Sequence, residues 1–89
     1  MQFEWNSEKA EENRRKHSVS FEEARTVFDD PLAVTFDDPY HAAAESRSLT
    51  IGYSSRERLL VVSHAQRGET IRIISARLAT AHERKRHET

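Results

Sequence analysis

Apolar and polar residues alternate along this chain with two different periods, and the switches between them mark its elements. Gln2-Phe3-Glu4-Trp5 alternates every second residue and predicts a first strand with Phe3 and Trp5 on one face. Asn6 or Ser7 can cap a following helix, with Glu8 in its first turn. Residues 8–16 are strong helix formers but nearly all polar. Ala10, Asn13 and His17 share a face there, so this helix packs lightly or through specific hydrogen bonds of Asn13 and His17. Ser20-Phe21-Glu22-Glu23 matches a capping box, with Val19 and Ala24 placed as a hydrophobic staple. Phe21, Ala24, Val27 and Phe28 form the apolar stripe of a second helix, which Asp29-Asp30-Pro31 stops.

The second half returns to period two. Leu32-Ala33-Val34-Thr35-Phe36 predicts a strand with Leu32, Val34 and Phe36 inward, and residues 37–46 a loop. Arg47 to Tyr53 predicts another strand, with Leu49, Ile51 and Tyr53 on its core face. Arg58 to Ala65 carries the continuous run Leu59-Leu60-Val61-Val62 of a strand buried on both sides. After a turn at Gln66-Arg67-Gly68-Glu69, with Gly68 supplying a positive φ, residues Thr70–Arg77 form the last strand. Thr80 and Glu83 then make a second capping box, opening a cationic helix with Arg84, Lys85 and Arg86. The order is β-α-α-β-β-β-β-α. It predicts an α+β domain over residues 1–89, a small antiparallel sheet with the helices packed on one face.

Composition narrows the function. There is no Cys, which removes disulfides, thiolate catalysis and Cys-ligated zinc. No basic-then-apolar leader and no run of about 20 apolar residues is present, so the chain is expected to be soluble and cytoplasmic. The net charge of −1 hides an asymmetry: residues 1–44 hold ten acidic and five basic side chains, residues 45–89 five acidic and nine basic. Eight of those nine are Arg, the planar fork that suits phosphate, so the second half offers a polyanion-facing surface. The alternative is that these arginines line a solvated sheet face.

No Gly-rich phosphate loop and no G-x-S-x-G elbow occurs. His82 and His87 lie at i and i+5, off a shared helix face, so no zinc site is expected. The Asp pairs at Asp29-Asp30 and Asp37-Asp38 each precede Pro and read as turn chemistry rather than a metal cluster. No metal and no cofactor is expected.

Several stretches together resemble the BrnT toxins over nearly the whole chain: Phe3-x-Trp5, Lys9, Asn13, Lys16-His17-x-Val19-Ser20-Phe21-Glu22-Glu23-Ala24, Val27-Phe28-x-Asp30, Glu45-x-Arg47, Gly52, Ile71-Arg72-Ile73-Ile74-Ser75-Ala76-Arg77, Thr80 and Glu83-Arg84. The resemblance implies a RelE-like fold and a ribonuclease toxin of a type II toxin–antitoxin pair that inhibits translation. It further implies neutralisation by a BrnA-type antitoxin with a ribbon-helix-helix domain, through which the complex reaches DNA and represses its operon. A catalytically weak, antitoxin-binding subunit acting in autoregulation is the alternative. The chain departs from the family pattern at Asn6 (usually Asp), Ser18 (usually Gly), Leu78 (commonly Lys) and His87 (often aromatic).

RNA cleavage without a metal needs a base for the 2′-hydroxyl, donors for the phosphate and an acid for the leaving oxygen. Arg47, Arg72, Arg77 and Arg84 are candidates for phosphate, and His17, His64, His82, Glu45 and Lys16 for proton transfer. Arg72 and Arg77 are five residues apart and face opposite ways on a regular strand, unless a bulge intervenes. By parity Arg47 and Arg77 lie toward the core and can meet at one sheet edge near Lys16 and His17. The expected catalytic group is therefore Lys16, Arg47 and Arg77 with His17 and Glu45, and the RNA-phosphate contacts are Arg72, Arg84 and Lys85. Structural readings compete: Arg77 pairs with Glu83 or Glu45, His17 satisfies a helix C-terminus, and His64 is a hydrogen-bonded core residue.

Overall fold

A computed structural model describes residues 1–38 and 46–89. The elements are β1 (Gln2–Glu4), α1 (Ser7–His17), α2 (Phe21–Thr26) with a 3-10 turn at Val27–Asp29, β2 (Val34–Asp37), β3 (Arg47–Tyr53), β4 (Leu59–Arg67), β5 (Thr70–Leu78) and α3 (Ala81–Glu88). Among the described residues the elements run β-α-α-β-β-β-β-α. The five strands form one sheet in the order β1-β5-β4-β3-β2. It is mixed rather than antiparallel: β2 to β5 pair antiparallel, but β1 lies parallel to β5, with Phe3 opposite Ile71. The two helices between β1 and β2 let the chain cross over, and tight turns alone cannot produce a parallel pair.

The caps form as the side chains dictate. Asn6 accepts from the Lys9 amide at 3.0 Å and Ser20 from the Glu23 amide at 3.0 Å. At α3 both halves of the capping box are made, Glu83 N to Thr80 Oγ1 and Thr80 N to Glu83 Oε1. Ser18 ends α1 in the left-handed region at φ 58°, its N–H returning to the Arg14 carbonyl at 2.9 Å. That geometry normally favours glycine.

The helices do not share one face. On the inner face α1 and α2 cover Leu60, Val62, Ile73 and Ala76, and Val19, Phe21, Ala24 and Val27 complete that core. Trp5 meets Phe21 edge-on and Phe3 meets Phe28, both at the margin. A smaller cluster of Ile51, Leu59 and Val61, with Leu49, Tyr53 and Ala79, occupies the outer face, where α3 lies. So the residues of β3 expected to face the main core face away from it. The inner side of β3 is Thr50 and Gly52, and both are buried. At Gly52 a Cβ would stand 2.8 Å from that of Ala33 and 3.0 Å from Val27 Cγ1, so the segment before β2 can press onto β3 only where no side chain stands. β2 is likewise exposed along its length, and Leu32 lies in a turn, not inward in a strand.

Two polar groups tie the inner face together. Asn13 on α1 is buried and bonds the backbone of Ala76 twice, Nδ2 to O at 2.8 Å and Ala76 N to Oδ1 at 3.1 Å, with a further bond to the Val19 carbonyl. Glu23 is buried under Arg58, Arg56 and Ser54; the Arg58 hydrogen bonds hold its carboxyl below the usual range against the opposing effect of burial. This fastens α2 to the β3–β4 turn.

Candidate phosphate-binding face

A bulge in β5 decides which arginines share a face. The β4–β5 ladder runs His64 with Ile73 and then Ser63 with Ser75, so Ile74 is an extra residue on β5. Before the bulge Ile71 and Ile73 face inward and Arg72 outward; after it Ala76 is inward and Arg77 outward. Arg72 and Arg77 therefore lie on the same face. The expectation that Arg77 joins Ile71 and Ile73 on the core side fails because strict alternation stops at Ile74.

Arg47 pairs with Ala65, which pairs with Arg72, which pairs with Glu4, so these four form one row across the outer face. Arg72 donates to Glu4 at 2.9 Å. A second row runs Val34, Ile51, Val61, Arg77. Arg47 and Arg77 thus lie four residues apart along β4, about 13 Å. They share a face but do not meet at one edge.

Arg77 presents its fork to Glu83 of α3 at 2.8 and 2.9 Å, and the same carboxylate caps the helix. The Arg77 bonds lead in holding the Glu83 carboxyl down at about 2. Arg77 binds Glu83, one of the two acids that the sequence offers it; the other, Glu45, lies outside the described residues. Tyr53 fixes the far end of α3, bonding Glu88 and meeting the His87 ring at a tilt, with centroids 6.0 Å apart. Arg84 pairs with Glu88 at 3.8 Å and Lys85 is exposed.

Lys16 and His17 lie elsewhere. They line a shallow pocket of about 250 Å³ with Lys9, Glu12, Asn13, Ile74 and Ser75, between α1 and β5. That separates them from Arg47 and Arg77, because α1 packs on the inner side. His64 is a core residue: its Nε2 is 2.7 Å from Thr50 Oγ1, which meets Thr35 Oγ1 at 2.6 Å, and Phe28 stands edge-on to its ring. Burial lowers its pKa. His82 is exposed on α3. Among the described residues the histidine that approaches the arginine face is His87, which lines a cleft of about 440 Å³ with Arg86, Glu83, Val34, Phe36, Leu49, Ile51 and Val61. The signal was its place on the face of the final helix four residues after Glu83. Among the described residues no three His, Asp or Glu side chains gather as metal ligands, and no helix is long and apolar enough to cross a membrane.

A five-stranded mixed sheet clasped by two helices inside and one outside, with Arg47, Arg72 and Arg77 on the outer face, defines a small α+β protein. The chain belongs to the BrnT family: the family model described as "Ribonuclease toxin, BrnT, of type II toxin-antitoxin system" matches residues 5–83. The fold is similar to that of the Brucella abortus ribonuclease toxin BrnT, a crystal structure at 24% sequence identity, with a TM-score of 0.69 over 90% of this chain and 97% of that one. No curated protein matches the chain in sequence.

Proposed function

We propose that this chain is a RelE-like, metal-independent endoribonuclease that cleaves RNA and so inhibits translation, and that a BrnA-type ribbon-helix-helix antitoxin neutralises it in the cytoplasm. Through that antitoxin the pair binds DNA and represses its own operon. The observation that carries the nuclease reading is the phase slip at Ile74, which ranks Arg72 and Arg77 beside Arg47 on one face. Three guanidinium groups spread over a rigid sheet can hold separate phosphates of a single strand. Arg77 sits nearest α3, where His87 lines the adjoining cleft. In this reading Arg77 stabilises charge on the scissile phosphate, Arg47 and Arg72 hold its neighbours, Arg84 and Lys85 extend the track, and His87 exchanges the proton. Lys16 and His17, on the α1 side, act on a flanking part of the RNA rather than at the bond broken, and Glu45 keeps its proposed part in proton transfer.

The alternative, an antitoxin-binding subunit with little catalysis, draws on one specific contact. The Arg77 fork is already filled by Glu83.

Inducible expression in bacteria of the wild type and of Arg77→Ala, with growth and RNA integrity followed, tests the reading. Growth arrest with RNA degradation in the wild type, both lost in a folded Arg77→Ala, is the expected result. Unimpaired growth with intact RNA at high soluble expression sinks the nuclease and favours the binding subunit.

A further inference from the structure

The cleft that His87 lines beside Arg77 has an apolar floor that phosphate recognition does not use. Its floor is aliphatic and aromatic: Val34 and Phe36 of β2, Leu49 and Ile51 of β3, and Val61 of β4. Val34 and Phe36 are 51% and 47% exposed, on a strand with no buried residue. Such a patch at a sheet edge marks an interaction site more often than a solvated surface. One wall is α3, with Arg86 and His87 against the floor.

Three observations select the occupant. Val34, Ile51 and Val61 stand in one row over three strands, so the floor is about 10 Å wide, the diameter of an α-helix. The α3 wall is cationic in effect, since Glu83 is taken by Arg77 and Glu88 by Tyr53 and Arg84. Arg86 meets no carboxylate among the described residues. Finally, an aliphatic floor offers an RNA base neither hydrogen bonds nor, apart from Phe36, a ring to stack on. A second copy of this chain lacks a suitable helix too: α1 is nearly all polar outside, α2 is spent on the core, and α3 is itself cationic.

We infer that this groove receives an amphipathic helix of the antitoxin, its apolar side on Val34, Phe36 and Ile51 and an acidic flank toward Arg86 and His87. The inference rests on the toxin reading above and adds the surface and the chemistry of the partner segment. It also supplies a means of neutralisation. Arg77 ends the row that begins at Val34, so a helix lying in the groove stands beside Arg77 and shuts RNA out.

The test co-expresses the toxin with the antitoxin encoded beside its gene and measures affinity and growth for the wild type, Val34→Asp, Arg86→Glu and Leu32→Asp. Leu32 is exposed in the preceding turn and outside the groove, so it controls for surface charge. Val34→Asp is expected to weaken the complex on the order of 100-fold, as at a buried interface position. Arg86→Glu should weaken it on the order of 10-fold, as for a charge at the rim, and Leu32→Asp should bind as the wild type. Free Val34→Asp should still arrest growth, now unrelieved by antitoxin. Wild-type affinity in both Val34→Asp and Arg86→Glu overturns the groove while leaving the toxin reading intact. Loss of RNA cleavage in Val34→Asp with the complex retained overturns it in favour of RNA, and a wild-type dimer that Val34→Asp dissociates overturns it in favour of a second copy. A wild type that neither arrests growth nor binds the antitoxin sinks the toxin reading itself, and this inference with it.

Discussion

The side-chain amide of Asn13 pairs with both backbone groups of Ala76, donating to its carbonyl and accepting from its N–H. β1 reaches along β5 only from Thr70 to Arg72, so beyond that point β5 has no strand beside it on this edge. Asn13 supplies there what a neighbouring strand would, and its third bond, to the Val19 carbonyl, fixes the chain between α1 and α2. Replacing Asn13 by Leu leaves the Ala76 N–H and carbonyl buried and unpaired. The expected loss is about 3 kcal/mol or more, since each stranded buried group costs about 1–3 kcal/mol. Urea denaturation of the two proteins measures it, and a loss below about 1 kcal/mol would mean that water replaces the amide.

Gly52 predicts a second effect of packing. An added Cβ meets Ala33 and Val27, which belong to the segment pressed onto β3. Gly52→Ala should destabilise by about 1–3 kcal/mol, the range for overfilling a packed site, with the midpoint shift read by circular dichroism. Because the Asp30 carboxylate accepts from Tyr53 N close by, the same variant should also loosen that bond, visible as faster exchange of the Tyr53 amide.

Ser18 has the opposite sign. Its left-handed backbone is paid for by the surrounding structure. Ser18→Gly should therefore raise stability by roughly 0.5 kcal/mol, the relief of strain less the added freedom of glycine in the unfolded chain. An unchanged or lowered melting temperature would show that the strain is negligible.

Acid should weaken the fold in two stages. Burial depresses the His64 pKa, so the native state holds the ring neutral while the unfolded chain takes up a proton below about 6.5. Its contribution is present above that value and is lost as pH falls toward the lower, folded pKa. Glu83, held at about 2 chiefly by Arg77, contributes above about 4.5 and loses that contribution as pH falls from there toward about 2. Because Glu83 is about a third exposed, solvent screening reduces its contribution. His64→Gln should remove the first stage and leave the second, as followed by thermal melts at stepped pH. A first stage that persists in His64→Gln would assign it to another group.

RNA binding should carry a salt signature. Each arginine that neutralises a phosphate contributes about 0.7 to the slope of log K against log salt for a single strand. Arg72→Ala and Arg47→Ala should each lower that slope by about this amount without changing sequence preference. A slope unchanged in both variants would remove that row of the outer face from the RNA path.

Much of the fold is legible in the sequence because its signals are local. The caps at Asn6, Ser20 and Thr80, the Pro31 stop and the positive φ at Gly68 each concern a few neighbouring residues. What alternation cannot say is which side of a strand the helices will cover. Leu49, Ile51 and Tyr53 do share a face, as their spacing requires, yet α1, α2 and the segment before β2 cover the side of Thr50 and Gly52, where a bare glycine admits closer packing. The parallel seat of β1 and the slip at Ile74 are invisible for the same reason: one depends on partners 68 residues away and the other on a ladder that forms only in the sheet. Arg77 was legible as a candidate, but its neighbours were not. Regular parity sends it toward Lys16, and the bulge sends it toward α3.

The slip at Ile74 has a consequence for how the protein reaches its native state. The two halves of β5 are out of phase, with Ile71 and Ile73 inward in one and Ala76 inward in the other. Straightening the ladder with all residues kept would turn Arg77 toward the inner face that α1 and α2 cover, and sliding β5 by one position would turn both Arg72 and Arg77 inward. A pairing of β5 that is out by one residue must bury a charge, so such alignments expel themselves before they can mature. The arrangement that ranks the arginines for a ligand thereby also proofreads the sheet as it assembles.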